Sequence, residues 1–555
     1  MASTDNGGRT QSTVSTLAFV GMTCALAVSI RNIPDVASTG WTMFFYMLVA
    51  MILFGFPIAL IAGEFTTAYP GAGGPELWIT KSLSPRWGFT TSWLLWVQMF
   101  PGMVMVASAL APLAGYTIAT NAFNPNDPGV LLGQNNLFTL GIILVVYWAV
   151  TLLNMKFDMA KIGGKIGVWL GIYIPCAVMF VLGVAYTIHE GGIVPGNTLG
   201  AFDPAKLVPD ADTFKTLSMF STIIMIFTGI EMSAVYVQRL KEPTKQYPRG
   251  IFIALLLMLV FNIANGLLVA NAVPMKDGAS TMELNNIAQA VVIYCQTLGL
   301  PSWIVNVFAG MVLIGVAVQL SGWVSGPSQT IAASALRGEY PPKWKFWKTS
   351  GYGLSKSVLI VQAVIISLFS LTYLLIPAIN TAFLMLVNAT TLMYCLVYVL
   401  MAVGIVRLRV TQPDLQRPFR IGKKGNGLCY AVAIVLLAVI FGANFLTALY
   451  SSAINNIVVF AVTAILFVIP LVIYKFKNPD WATEVQAEMA KDGIELASDG
   501  TIDGVNAGVH AAPERAAVET TATAPSTAGA GAPTVKVQTG VPSVGVGANK
   551  LTMQH

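Results

Sequence analysis

Charge is scarce in this chain of 555 residues: Asp, Glu, Lys and Arg make up 10% of it, against 55% hydrophobic residues. An ordinary soluble domain carries roughly 25% charged residues, so a water-soluble fold is excluded. Cysteine is equally thin. Cys24, Cys176, Cys295, Cys395 and Cys429 lie in or beside apolar runs, without a CxxC or any ligand spacing, and read as small core residues. Histidine is limited to His189, His510 and His555, none in an HExxH or other clustered set, which leaves a catalytic metal without ligands. With no intramembrane histidine, no conspicuous carboxylate pair and no nucleophile–base set, an enzyme is not expected, and no cofactor is implied. An Ala-x-Ala cleavage site is also missing, so the first apolar segment is expected to remain in the mature protein.

What the chain has is long charge-free runs: 10–30, 36–63, 87–126, 128–155, 166–188, 216–230, 250–275, 284–336, 357–406 and 425–474. A membrane-spanning helix needs about 20 residues, so each of the last two runs holds two helices, with turns near Pro377 to Asn380 and Tyr450 to Asn455. The run from Leu284 opens with NNIAQAVVIYCQTLGLP, polar and short enough to be a loop helix before a span that begins near Ser302. The expected fold is therefore an all-α integral membrane protein with twelve transmembrane helices, residues 14–476, preceded by a cytoplasmic N-terminus of residues 1–13.

Basic residues orient it. With the N-terminus inside, the cytoplasmic loops as far as Lys477 collect 23 Lys and Arg, and the opposite side collects Lys206, Lys215 and Lys276. Both termini are thus expected in the cytoplasm. Residues 1–476 carry a net +10 and residues 477–555 a net −4, so the overall +6 reflects membrane topology and calls for no nucleic-acid partner. Residues 477 to about 500 suit a short amphipathic acidic helix; beyond it the tail, rich in Ala, Gly, Thr, Pro and Val, is expected to be disordered.

Two spans are interrupted by residues that a continuous membrane helix tolerates poorly. The first runs into SIRNIPDVASTGW, with Arg31, Asn32, Pro34 and Asp35; the sixth, MIFTGIEMSAVYV, carries Gly229 and Glu231 in mid-span. Helices 1–5 occupy about 14–187 and helices 6–10 about 213–407, with helices 11 and 12 at 427–476, so each half opens on a broken helix. An odd number of spans per half forces opposite orientations, the inverted-repeat plan of many secondary transporters, whose sites lie at such breaks. Freed amides at one half-helix end suit a carboxylate, and freed carbonyls at the other suit an ammonium or cation.

Charges inside spans mark function or internal pairing. Glu231 is expected as ammonium ligand, proton carrier or gate support, or as a carboxylate capping the break. Arg31 is read as the contact for an acidic substrate, as an ion-pair partner of Asp35, Glu231 or Glu64, or as a residue at the membrane edge. Glu64 and Asp35 read as structural. Tyr394 and Tyr398 share one helix face and suit a common cavity. Trp96 and Trp323 sit on spans expected near the centre, and Gln98 and Gln319 need partners within theirs.

Several segments together carry a family resemblance: GGPELWITKSLSPRWGF, GIEMSAVYVQRLKEPTKQYPRG, SGWVSGPSQTIAASALRGEYPP and QPDLQRPFRIGKKG. Over residues 14–476 the chain resembles the amino acid-polyamine-organocation superfamily, and within it the bacterial glutamate/GABA antiporter family. The resemblance implies a LeuT-type five-plus-five inverted repeat in the plasma membrane that exchanges small-molecule amino acids by alternating access; a proton-coupled symporter on the same fold is the alternative. It implies a substrate site of Ile30, Arg31 and Asn32, of Thr228, Gly229, Ile230 and Glu231, and of Trp323, Tyr394 and Tyr398. Gating falls to Glu231 and to Gln319, which stands where the antiporter family has an acidic residue. Arg31 in turn replaces an aromatic residue of that family, so a carboxylate is lost and a cation gained, which argues against a purely cationic substrate. The resemblance also raises a pH-dependent plug formed by the tail, with His510 and His555 as titrating groups. Monomer and homodimer both remain open.

Overall fold

The computed structural model describes residues 15–27, 30–69, 74–157, 159, 169–209, 220–277, 279–349, 354–376, 378–422, 425–450 and 452–491. The expected plug, with His510 and His555, and the start of the fifth span at 166–168 lie outside these residues.

Ten helices are long and apolar enough to cross a membrane: Gly40–Ala68, Pro85–Ile118, Asn136–Lys156, Trp169–His189, Pro243–Ala272, Trp303–Leu336, Lys356–Leu375, Ile379–Thr411, Gly427–Leu449 and Ala453–Lys475. Local chemistry sets several of their starts. Pro85 and Pro243 occupy first-turn positions where a missing N–H costs nothing. Asn135 accepts from the amides of Leu137 and Phe138, and Ser452 from that of Asn455, so orphan donors at two helix beginnings are satisfied. The loop helix expected before the span at Trp303 is present as Ala288–Thr297, and both expected turns separate helix pairs.

Two further apolar segments are not continuous helices. One is Thr16–Ala27, followed by a 3-10 turn at Ile30–Asn32 and a short helix, Ile33–Ala37, with Pro34 in its first turn. The other is Phe220–Ile226, followed beyond Gly229 by a 3-10 segment, Ile230–Arg239. Thr16–Ala27 packs on Ile230–Arg239, and Ile33–Ala37 packs on Phe220–Ile226. The interrupted segments therefore lie side by side and antiparallel, with their breaks at one level.

The helices around them bury a common apolar core that includes Trp78, Trp96, Tyr147, Tyr247 and Tyr398. The outer faces of Gly427–Tyr450 and Ala453–Lys475 expose Ile434, Phe441, Phe445, Ile454 and Ile457, as suits contact with lipid tails. Where Trp169–His189 crosses Trp303–Leu336 no side chain intervenes: a Cβ on Gly315 would lie 2.2 Å from the backbone nitrogen of Gly171. The only paired strands among the described residues are the ribbon of Met275–Lys276 and Ala279–Ser280.

The expected acidic helix is Asp480–Lys491. It buries Val485 and Met489 against Pro342–Trp344 and the end of Trp303–Leu336, where Gly338 (φ +70°) leaves room that a Cβ would take from Ala482.

Candidate functional site

The second break is built on Gly229. Its backbone is left-handed (φ 83°, ψ −1°), a conformation that costs any residue with a Cβ roughly 1–2 kcal/mol, and it ends one helical stretch so that another can begin. Two residues on, the Glu231 side chain is fully buried. The helix Ile379–Thr411 meets it with two tyrosines one turn apart: Tyr394 Oη donates to Glu231 Oε1 at 2.9 Å and Tyr398 Oη to Oε2 at 2.8 Å. Tyr398 Oη also accepts from the amide of Gly229 at 2.9 Å, so a single hydroxyl ties an unwound backbone donor to the carboxylate beside it. Thr228 Oγ1 turns back to the carbonyl of Met225 and closes the preceding turn. Ile230 is buried. Trp323, partly buried, brings its ring to 4.0 Å from the position of a Cβ on Gly229. The structure thus brings Gly229, Glu231, Trp323, Tyr394 and Tyr398 together.

At the first break Ile30 and Asn32 are buried, and Arg31 lies between them, half-buried. Among the described residues its one side-chain hydrogen bond runs from Nη1 to the sulfur of Met105, at 3.4 Å. None of its three expected acidic partners is in ion-pair contact with it. Glu231 is held by the tyrosines, Asp35 is buried with Oδ1 unpartnered, and Glu64 belongs to a separate cluster. Gln319 is partly exposed and is not joined to the Glu231 cluster by any hydrogen bond among the described residues.

Trp96, expected to line the centre, packs against Trp93 and Phe100 and donates to Gln362 Oε1 at 2.8 Å, which places it in the core. Gln98 finds its partners locally, in the carbonyl of Leu95 and the sulfur of Met99.

Away from the breaks, Glu64 accepts from Arg409 Nε and Nη2, each at 2.6 Å, and from the amide of Ile421 at 2.9 Å, with Arg417 Nε 3.4 Å away. Arg409 also donates to the carbonyl of Ile421 and to Asn426. This knot fastens the end of Gly40–Ala68 to Ile379–Thr411 and to the loop beyond it. Sequence reading recognised Glu64 as structural but had no signal for its partners. A third cluster, outside the spans, joins Glu76 of the short helix Gly74–Ser82 to Arg337, which also bridges to Glu339. Burial pushes the Glu76 carboxyl up to about 7, against the opposing pull of Arg337.

Residues 12–467 match the family model described as amino acid permease. This chain belongs to the amino acid permease family. The permease is 29% identical over 394 residues to an uncharacterized transporter of Legionella pneumophila, covering 71% of this chain and 80% of that protein. It is 26% identical over 489 residues to a glutamate/gamma-aminobutyrate antiporter of Lactococcus lactis (84% and 91% covered). With a probable agmatine/putrescine antiporter of the same species it shares 24% over 434 residues (77% and 86% covered). The permease is accordingly a multi-pass membrane transporter and not an enzyme, of a family acting on small molecules, amino acids or polyamines.

Proposed function

We propose that this permease is an amino acid antiporter of the glutamate/GABA kind that works by alternating access, with twelve spans in a five-plus-five inverted repeat and both termini in the cytoplasm of a plasma-membrane protein. The observation that carries this reading is the antiparallel pairing of the two interrupted segments, which sets a left-handed glycine with a buried carboxylate level with Arg31, a cation in ion-pair contact with no acidic side chain among the described residues. Backbone groups at the two breaks, 30–32 and 228–231, receive the amino and carboxyl groups common to all amino acids. Trp323, Tyr394 and Tyr398 wall the site, Glu231 couples substrate to the helix carrying the tyrosines, and Gln319 gates from the facing span. Arg31 takes the second carboxylate of an acidic substrate. The 26% identity to a glutamate/gamma-aminobutyrate antiporter supports the same choice.

The test is uptake of labelled glutamate by the purified protein in liposomes preloaded with glutamate, GABA, other amino acids or buffer, at pH 5.5 and 7.5. Exchange expects uptake only into amino-acid-loaded vesicles. Uptake into buffer-loaded vesicles under a proton gradient identifies the symporter instead, a reading favoured by the unpartnered carboxyl of Asp35. Arg31→Ala is expected to lose acidic substrates while retaining fold and neutral amino acid uptake; general loss of folded protein would make Arg31 structural.

A further inference from the structure

Asp35 is the buried acid that the proposed site leaves unused. It lies four residues beyond Arg31 in the helix Ile33–Ala37, is 2% exposed, and its Oδ1 has no hydrogen-bond partner. The elements packed against its helix supply no counter-charge. Phe220–Ile226 has no ionisable side chain, and in Pro243–Ala272 the ionisable residues are Lys245, Tyr247 and Arg249. Val36 touches that helix at Gly266, so those three stand about 25 to 32 Å along its axis. The nearby Asn262 and Asn265 are polar but do not titrate. Glu231, across the paired breaks, is engaged by Tyr394 and Tyr398. Arg31 is thus the one cation of the breaks, and Asp35 the one carboxylate there without donors.

A carboxylate cannot stay charged in an apolar interior unless a cation or hydrogen bonds compensate it. With no acidic substrate bound, Arg31 is the cation whose charge offsets that of Asp35, from beyond ion-pair distance. When an acidic substrate sets its side-chain carboxylate on the guanidinium, two carboxylates share one positive charge, and the member without hydrogen bonds takes a proton. We infer that Asp35 is the proton acceptor accompanying an acidic substrate, so that each bound dicarboxylic amino acid brings one proton onto the Asp35 carboxyl while amino acids with uncharged side chains bring none. The charge balances: the substrate adds one carboxylate to the site, the proton cancels it, and both leave together on the far side. This rests on the Arg31 reading above and adds to it a stoichiometry and a second specificity residue.

The test counts protons per ligand, independently of transport rate. Purified full-length protein is titrated with glutamate and with glutamine by calorimetry at neutral pH, in two buffers of different ionisation enthalpy. The wild type is expected to take up about one proton per glutamate and none per glutamine, and its glutamate affinity to fall about tenfold per pH unit on the alkaline side. Asp35→Asn is expected to bind glutamate without proton uptake and with a flat pH dependence. Glutamate binding to the wild type without a proton, or unchanged proton uptake by Asp35→Asn, overturns the inference. Should Asp35→Asn not fold, Asp35→Glu decides: it keeps a carboxyl and must keep the proton, and losing it overturns the inference too. Arg31→Gln separates the two levels. If it still prefers glutamate to glutamine as the wild type does, the Arg31 reading fails and this inference with it. If the preference is abolished while Asp35→Asn keeps the proton, only the role of Asp35 is wrong.

Discussion

Replacing Glu64 by glutamine removes one negative charge from a place where water cannot substitute for it. Glu64 has no exposed side-chain surface, Arg409 has 1% and Arg417 3%. The carboxylate accepts two short bonds from Arg409 and one from the amide of Ile421. Glutamine offers a single oxygen, turns an amide N–H₂ toward a guanidinium, and leaves two buried cations without a counter-ion. Breaking a buried pair by removing one partner costs about 3–5 kcal/mol, chiefly through the stranded charge. Glu64→Gln is therefore expected to lower the unfolding free energy of the micelle-purified protein by that amount, read from denaturant or thermal unfolding. Arg409→Met should cost a similar amount. Combined, the two should cost less than their sum by at least about 2 kcal/mol, because each removes the charge that the other strands. Single variants that each lose under about 1 kcal/mol, or strictly additive losses, would falsify the assignment of this knot as the fastening between Gly40–Ala68 and Ile379–Thr411.

Tyr398→Phe removes both a donor to Glu231 and an acceptor for the amide of Gly229, whereas Tyr394→Phe removes a donor alone; counterflow of labelled substrate should fall roughly 10–100-fold for the first and less for the second. Equal losses would refute the bridging role of Tyr398. Gly229→Ala forces a Cβ into a left-handed backbone at about 1–2 kcal/mol, and since Tyr394 Oη lies 3.5 Å from that Cβ, at ordinary contact, the loss of exchange should come from the backbone and should not be rescued by Tyr394→Phe. For Glu76, raised by burial from 4.5 to about 7, the folded state holds more protons than the unfolded one across that interval, so stability falls as pH rises from about 4.5 to 7. Thermal unfolding from pH 4.5 to 7.5 should show Glu76→Gln lacking that slope; an unchanged slope assigns it to other groups. Deleting residues 505–555 separates a gating tail from a solvated one without a role: a flattened pH profile of transport supports the plug that the resemblance raises, and an unchanged profile ends that reading.

The architecture was legible where composition and period are strong. Charge-free runs located the ten continuous helices, polar onset separated the loop helix at Ala288 from the span at Trp303, and the Pro34 and Gly229 neighbourhoods marked the interruptions. Tyr394 and Tyr398 were readable as one face because a spacing of four closes a helical turn. What could not be read is pairing across distance. Glu64 and Arg409 are 345 positions apart, and nothing local to either names the other. Met105 gave no sign of facing Arg31, since a thioether inside an apolar run carries no polar signal. For Trp96, on a span expected near the centre, the sequence could not separate a place near the site from ordinary packing, and its indole N–H meets Gln362 in the core.

The crossing of Gly171 and Gly315 has a mechanical consequence. Packed helices are ordinarily separated by interlocking side chains that re-register when one helix slides over the other. At this crossing the backbones themselves touch, so there is no layer to re-register, and sliding by one residue would drive the Cβ of Leu170 or Ile314 into the opposing main chain. Trp169–His189 and Trp303–Leu336 are pinned there like the blades of scissors: free to pivot about one point, not to translate past it.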